Sequence, residues 1–143
     1  MKRLLPLCII VVLLSSCSIN VLNNLNASVG TTFELLKQEA YGGKEDETNL
    51  VIKTQTELES LYKQLNLGSA PTIDFEHNRV VALFMGQKRT GGYSIGIRKI
   101  SVNGDTTTVS VKRTTPEGGM ATMALSAPYC IAIIPKTENV VIE

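Results

Sequence analysis

Cys130 and His77 are the only Cys–His candidate for nucleophilic catalysis in the mature chain, but their settings argue against that use. Cys130 is the only cysteine after residue 17, and His77 is the only histidine. A catalytic thiol needs a nearby base and a lowered pKa, whereas Cys130 lies in the apolar run 130–134, where burial raises the pKa. His77 lies in a polar stretch. It could be a metal ligand, a general base or a solvent-exposed loop residue. We favour the exposed loop and expect no catalytic residue and no metal site.

The carboxylates and glycines also lack the arrangement of a catalytic or cofactor site. Glu45, Asp46 and Glu47 belong to a mixed-charge run that is typical of a solvated loop. The pair Gly91 and Gly92 has neither the downstream glycines nor the helix of a phosphate-binding loop. The sequence therefore predicts that the protein binds no cofactor and is not an enzyme.

The most distinctive segment is a glycine-rich connection between two apolar strands. It contains Lys88, Arg89, Thr90, Gly91, Gly92 and Tyr93. One interpretation is a strand connection that needs glycine for positive φ, with Tyr93 packed in the core. The other is an exposed binding loop, in which glycine permits close approach of a partner backbone and Tyr93 is an anchor. The same alternatives, core packing or a secondary binding position, apply to Pro128 and Tyr129.

Residues 1–16 have the composition of a secretory signal peptide. Two basic residues, Lys2 and Arg3, precede an apolar stretch of eleven residues, 4–14. As a helix this stretch would rise about 16 Å, whereas a hydrocarbon core is roughly 30 Å thick. The short apolar stretch therefore favours an exported, cleaved signal over a transmembrane helix.

The sequence Leu-Ser-Ser-Cys at 14–17 resembles the lipobox of bacterial lipoproteins. The resemblance implies cleavage after Ser16 and lipidation of Cys17, with palmitate-type acyl chains. Two or three chains would anchor the protein stably, at about 0.8 kcal/mol per buried methylene. The alternative is an ordinary secretory signal with an incidental thiol. We therefore expect a lipid-anchored protein of the cell envelope. Because residue 18 is serine and not the aspartate of an inner-membrane retention signal, we expect the outer membrane if the host has two membranes.

The charge and the cysteines of the mature chain restrict its partners and its stabilisation. Loss of Lys2 and Arg3 leaves 12 of the 14 basic residues against 13 acidic ones, a net charge of about −1. This balance gives no long-range attraction for nucleic acid. With Cys8 removed and Cys17 blocked by lipid, Cys130 would be the only free thiol, so no intrachain disulfide could form. A domain of about 110 residues can be held by its core alone.

The remaining pattern predicts a tether, one helix and six or seven strands. Residues 17–31, rich in asparagine, indicate a flexible tether or a loose first turn. Thr54 with Glu57 fits a helix capping box, as does Thr56 with Glu59, and an apolar stripe follows at 58, 61, 62 and 65. Strands are expected at 33–40, 49–53, 79–87, 93–102, 106–113, 130–134 and 140–142. The strand at 79–87 contains the continuous apolar run 80–85, which favours burial on both faces.

Two local features complete this pattern. The strands 93–102 and 106–113 form a predicted hairpin across Asn103 and Gly104, with a β-bulge at 98–99 that restores the alternation of apolar residues. Residues 115–127 are loop-like, and Met120, Met123 and Leu125 lie either across the core or on an exposed patch. The fold class is therefore α+β, a mainly antiparallel sheet or half-barrel with one packed helix, over residues 32–143.

Four segments in this order resemble the C-terminal domain of the protease complex subunit PrcB family. They are Val-Val-Ala-Leu-Phe-Met-Gly at 80–86, Thr-Gly-Gly-Tyr-Ser-Ile at 90–95, Pro-Glu-Gly-Gly at 116–119, and Pro-Tyr at 128–129 before an apolar strand that ends at Pro135. The resemblance extends over roughly 33–143, and the chain departs from the expected pattern at Cys130. It implies a non-catalytic lipoprotein that associates with a protease and helps to stabilise or assemble it.

We therefore expect a membrane-anchored, protein-binding accessory subunit whose partner is a protease or another envelope complex. Two alternatives remain open at this point. One is a structural envelope lipoprotein or a carrier of a small ligand. The other is a protease inhibitor, because Thr90-Gly91-Gly92-Tyr93 is similar to the Thr-Thr-Gly-Tyr loop of chagasin-like inhibitors.

The lipobox yields the first testable prediction. Intact-mass analysis of the protein extracted from membranes is expected to show a mature chain that begins at Cys17 and carries the added mass of the acyl chains. Cys17→Ala should abolish labelling by palmitate, because the thiol that accepts the lipid is gone, whereas Cys8→Ala should not. An unmodified residue 17 in the mature protein would contradict the prediction.

Overall fold

A computed structural model describes residues 31–118 and 122–143 and contains seven strands and one helix in those ranges. The elements are β1 (Glu34–Glu39), β2 (Glu47–Ile52), α1 (Gln55–Gln64), β3 (Asn78–Met85), β4 (Ser94–Asn103), β5 (Thr106–Thr114), β6 (Tyr129–Pro135) and β7 (Asn139–Ile142). The predicted signal peptide, Cys17, the tether before Thr31, and Met120 lie outside the described residues. Among the residues described, no helical segment has the length and hydropathy of a membrane span.

The strands form two sheets that do not close into a barrel. The first sheet has the order β1-β6-β3-β2, and the second has the order β4-β5-β7. Every pairing is antiparallel except that of β5 with β7, which is parallel. The predicted α+β class with one helix is confirmed. The strands are divided between two sheets, and the last edge strand runs parallel to its neighbour.

The central strands β3 and β6 are buried on both faces, as the apolar run in β3 predicts. Val80, Ala82 and Phe84 of β3 belong to a core beneath α1. The alternate residues Val81 and Leu83 belong to a second core between the two sheets. Since successive side chains of a strand point to opposite faces, a strand between two cores must be apolar at every position.

Helix α1 begins where the capping box predicts and covers the first core. The Thr54 hydroxyl accepts a hydrogen bond from the Glu57 amide at 3.3 Å. The Glu57 carboxylate in turn accepts one from the amide of Lys53 at 2.8 Å. Leu58 and Leu61, from the predicted apolar stripe, are buried against the sheet. The helix thus seals one face of β3 and β6.

The β4–β5 hairpin has the predicted bulge but not the predicted turn. The pairing register shifts between Ile97 and Lys99, so the bulge at 98–99 is confirmed. Asn103, however, pairs with Thr106, and only Gly104 has a positive φ, 56°. The two-residue loop is therefore 104–105, one residue later than predicted. Positive φ at the first central position alone is the type II′ pattern, in which glycine removes the steric cost.

The two sheets are joined along one side. The Gln38 side-chain amide on β1 donates to the carbonyl of Ile95 on β4 at 2.9 Å. The Thr31 amide donates to the carbonyl of Ile100 at 3.1 Å. On the other side, β2 and β7 are the outer strands of their sheets and do not pair with each other. The molecule is therefore a half-open sandwich.

The buried position of Leu58 yields a stability prediction. Leu58→Ala removes a fully buried side chain from the core beneath α1 and is expected to lower the free energy of unfolding by about 2–5 kcal/mol. The matched change Leu35→Ala, at a side chain 47% exposed, should have an effect of at most about 0.5 kcal/mol. Denaturant unfolding followed by circular dichroism measures both, and equal losses would contradict the assignment of this core.

Candidate functional site

The predicted binding segment follows β3, and its first residues contact the chain where it enters β2. Gly86 has φ 75°, and a Cβ there would lie 2.9 Å from the amide nitrogen of Glu47, so both the backbone conformation and the space require glycine. The amide of Gln87 donates to the carbonyl of Glu45 at 2.8 Å. The chain therefore leaves the first sheet at Gly86, directly after β3.

A second segment, 122–128, runs back along the first and fixes its shape. The backbones of Lys88 and Ser126 exchange two hydrogen bonds, of 2.7 and 2.9 Å. The buried Ser126 hydroxyl donates to the carbonyl of Thr90 at 2.7 Å, and the amide of Gly91 donates to the carbonyl of Thr122 at 3.0 Å. A Cβ on Gly91 would overlap the Thr122 hydroxyl. A larger residue at 91 would therefore require the exposed Thr122 side chain to rotate away.

A third segment, 40–46, completes the arrangement. The amide of Gly43 donates to the carbonyl of Ala127 at 2.9 Å, and the amide of Ala127 donates to the carbonyl of Ala40 at 3.0 Å. A Cβ on Gly43 would lie 2.5 Å from that Ala127 oxygen. We refer to the three segments 40–46, 86–93 and 122–128 as the loop face. Backbone hydrogen bonds tie each segment to at least one of the others.

The loop face presents three large apolar side chains to solvent. Met123 is 94% exposed, Leu125 is 61% exposed and Tyr41 is 54% exposed. The hydroxyl of Tyr41 lies 3.5 Å from the position that a Cβ on Gly91 would occupy, and Met123 follows Thr122, which contacts the same glycine. Apolar side chains exposed together on hydrogen-bonded loops are typical of a protein-binding surface.

The six residues of the predicted binding loop are placed at different depths. Arg89 is exposed, whereas Lys88 is half-buried with its ammonium 5.9 Å from the ring centroid of Tyr93. Tyr93 is half-buried and packs against the core between the sheets. Gly91 is buried and Gly92 is exposed with φ 87°. Thr90 is half-buried. Arg89 is therefore the member most available to a partner, and Tyr93 supports the loop from within.

Pro128 and Tyr129, the secondary candidates, are buried. The ring of Tyr129 stacks on Phe84, with centroids 6.2 Å apart and an interplanar angle of 21°. The ammonium of Lys44 lies 5.4 Å from the centroid of the Phe84 ring. Burial raises the pKa of the Tyr129 phenol. Both residues take the core-packing role that the sequence left open.

Tyr41, Met123 and Leu125 were not among the predicted site residues. The sequence left Met123 and Leu125 between the core and an exposed patch, and the structure places both at the surface. Tyr41 had a weak signal, an aromatic residue directly before a glycine pair at 42–43. Its proximity to Gly91 depends on contacts between segments fifty residues apart and could not be derived from local pattern.

The structure does not bring Cys130 and His77 together. Cys130 lies opposite Leu83 on β3, whereas His77 directly precedes Asn78 at the start of that strand. Leu83 and Asn78 are five residues apart along β3, or about 16 Å. Burial raises the pKa of the Cys130 thiol to about 11. His77 is 81% exposed and contacts Asp74 at 2.7 Å, a hydrogen bond that lowers the pKa of the Asp74 carboxyl. Within 31–118 and 122–143, no three His, Cys, Asp or Glu side chains are grouped as metal ligands.

Comparison with known proteins supports one family relationship. Residues 79–135 match the family model described as PrcB C-terminal. The match runs from β3 to β6 and includes two segments of the loop face, 86–93 and 122–128. The resemblance expected over 33–143 is thus confirmed over 79–135. No curated protein and no solved structure matches the chain.

The burial of Cys130 yields a prediction about thiol reactivity. A pKa near 11 in place of 9.0 leaves about a hundredfold less thiolate at pH 8, and the side chain is fully buried. In the folded mature lipoprotein, an aromatic disulfide reagent at pH 8 is expected to modify Cys130 over hours. In guanidinium chloride the same thiol should react within minutes. Complete modification of the native protein within minutes would contradict the buried position.

Proposed function

We propose, from the match of residues 79–135 to the PrcB C-terminal family, that this chain is a lipid-anchored accessory subunit of a cell-envelope protease complex. The subunit is non-catalytic and binds its partner through the loop face. The observation on which the proposal depends is the exposure of Tyr41, Met123 and Leu125 on segments that are hydrogen-bonded to one another.

The composition of the loop face suits recognition of another protein. Aromatic, methionine and arginine side chains are enriched in interface cores, and methionine adapts its shape to an irregular partner surface. Met123, Tyr41 and Arg89 supply one of each. A partner surface with apolar side chains and a neighbouring carboxylate would complement this set. Such a partner would bury side chains that water now surrounds.

The fixed shape of the loop face supports binding with little ordering cost. The paired bonds between Lys88 and Ser126 continue the strand pairing of β3 with β6 beyond the sheet. Because the backbone is already held in place, binding would mainly restrict side chains such as Met123. Each immobilised side chain costs about 0.5–1.5 kcal/mol, less than ordering a whole flexible loop.

The non-catalytic part of the proposal is supported by the placement of the reactive side chains. Cys130 is shielded and separated from His77 by much of the length of β3. The lipid anchor is supported by the sequence at 14–17, and with it we assign the protein to a membrane surface of the cell envelope. An anchored module of this kind would hold a secreted protease near that membrane.

The proposal is tested by retention of a protease on the tagged, full-length lipoprotein. The complex is extracted from membranes of the native host with mild detergent, and bound peptidases are identified by mass spectrometry and by peptide hydrolysis in the eluate. Met123→Ser with Leu125→Ser should reduce the retained peptidase at least tenfold, as expected for loss of about 1.4 kcal/mol or more. The reason is the removal of both apolar contacts from the loop face.

The matched control replaces two exposed apolar residues outside the loop face. Leu35→Ser with Val102→Ser changes side chains that are 47% and 40% exposed on β1 and β4, and retention should stay at the wild-type level. Equal retention by both double variants would reject the loop face as the binding surface. Absence of any peptidase above the level of a tag-only sample would reject the accessory function.

A further inference from the structure

The open side of the sandwich is a groove between two edge strands, β2 and β7. The groove has a volume of about 580 Å³. It is lined by Val51 of β2, by Lys53 just after β2, and by Val140 and Val141 of β7. In the part of the chain that the structure describes, no strand pairs with the outer edge of either. The groove lies near the start of β3, at Arg79, whereas the loop face follows its end.

The free edge of β7 offers backbone hydrogen-bonding groups to the groove. The amide of Asn139 donates to Asp105 and that of Glu143 to Val109, each at 3.0 Å, so the odd-numbered amides of β7 face β5. Backbone groups alternate in direction along a strand. The amides and carbonyls of Val140 and Ile142 therefore point away from β5, to the unpaired edge.

The facing strand β2 has a free edge of the same kind. The amide of Met85 donates to the carbonyl of Pro128, which shows that the odd-numbered residues of β3 face β6. The even-numbered residues of β3 therefore pair with Thr48, Leu50 and Ile52 of β2. By the same alternation, the backbone groups of Asn49 point outward, as do those of Val51.

The groove is positively charged. Lys53, Arg79 and Lys136 line it, with Glu138 as the only acidic lining residue. The ion pairs between described residues are Arg113–Glu47 and His77–Asp74, so none of the three cations is in an ion pair there. Arg79 donates through Nη1 to the carbonyls of Phe75, at 2.9 Å, and Asn78, at 3.1 Å, which are uncharged acceptors.

We propose that this groove binds an extended acidic segment of a partner protein, which adds as a strand to the free edge of β7. Main-chain hydrogen bonds to Val140 and Ile142 would hold the segment, as in other cases of strand addition. Its carboxylates would lie near the three cations, and its apolar side chains near Val51. Four residues of extended chain, about 13 Å, match the length of β7.

A peptide suits the groove better than a phosphate or a lipid headgroup. Either anion could contact the three cations, but neither could form a series of hydrogen bonds with a strand edge. The exposed Val141, at 48%, and the half-buried Val51 offer apolar contacts that a phosphate cannot use. The groove and the loop face lie on different elements, so the two proposals stand or fall separately.

The test measures binding of a synthetic peptide to the detergent-solubilised full chain, without any protease. The peptide alternates glutamate with valine and threonine and is capped at both ends; its control has lysine for every glutamate. We expect calorimetric binding of the acidic peptide alone, weakened by salt. Hydrogen exchange should slow at the amides of Val140 and Ile142. Lys53→Gln with Lys136→Gln should weaken binding about tenfold, because two of the three cations are removed.

The control variant is Lys63→Gln with Lys112→Gln, which removes two exposed lysines outside the groove and should leave peptide binding unchanged. Four results would overturn the proposal. The first is no binding at millimolar peptide, and the second is equal binding of the lysine peptide. The third is slowed exchange only at Asn49 and Val51 of β2. The fourth is that inorganic phosphate or anionic vesicles bind as tightly as the peptide and do not slow exchange at β7.

Discussion

The burial of β3 and β6 on both faces is the constraint on which the rest of the structure depends. Each of these strands contributes alternate side chains to two cores, one beneath α1 and one between the sheets. A strand that is apolar on both faces is stable only when both faces are covered. Helix α1 covers one face and the second sheet covers the other, which fixes the layer order of the whole domain. Burial of the Cys130 thiol is a consequence of the same constraint.

The antiparallel pairing of β3 with β6 also creates the loop face. The end of β3 and the start of β6 lie side by side, with Phe84 opposite Tyr129. The chain that leaves β3 and the chain that enters β6 therefore emerge at the same edge, where Lys88 and Ser126 continue the pairing. Glycine at 43 and 86 permits close backbone approach there. A surface for a partner thus arises directly from strand pairing that also stabilises the core.

The open side of the sandwich follows from the length and position of the outer strands. β7 covers only the first part of β5, and its parallel pairing extends over four residues. Beyond β7, the side chain of Arg113 on β5 contacts Glu47 on β2 at 3.0 Å. The groove lies alongside β7, where Lys53, Arg79 and Lys136 line it. Both unpaired edges remain available to an added strand.

Features that depend on residues close together in the chain could be predicted from the sequence. Periodicity and capping residues located the helix at Thr54, the doubly buried strand at β3 and the bulge at Arg98, since each arises from local backbone geometry and side-chain alternation. The glycine-rich segment at 88–93 was recognised from composition. The turn at Gly104 was misplaced by one residue, because strand register across the hairpin, rather than the Asn-Gly pair itself, selects the turn residues. By contrast, the division into two sheets, the parallel pairing of β7, the position of Tyr41 beside Gly91 and the exposure of Met123 were visible only in the folded chain. These features depend on contacts between distant segments, which no local pattern specifies.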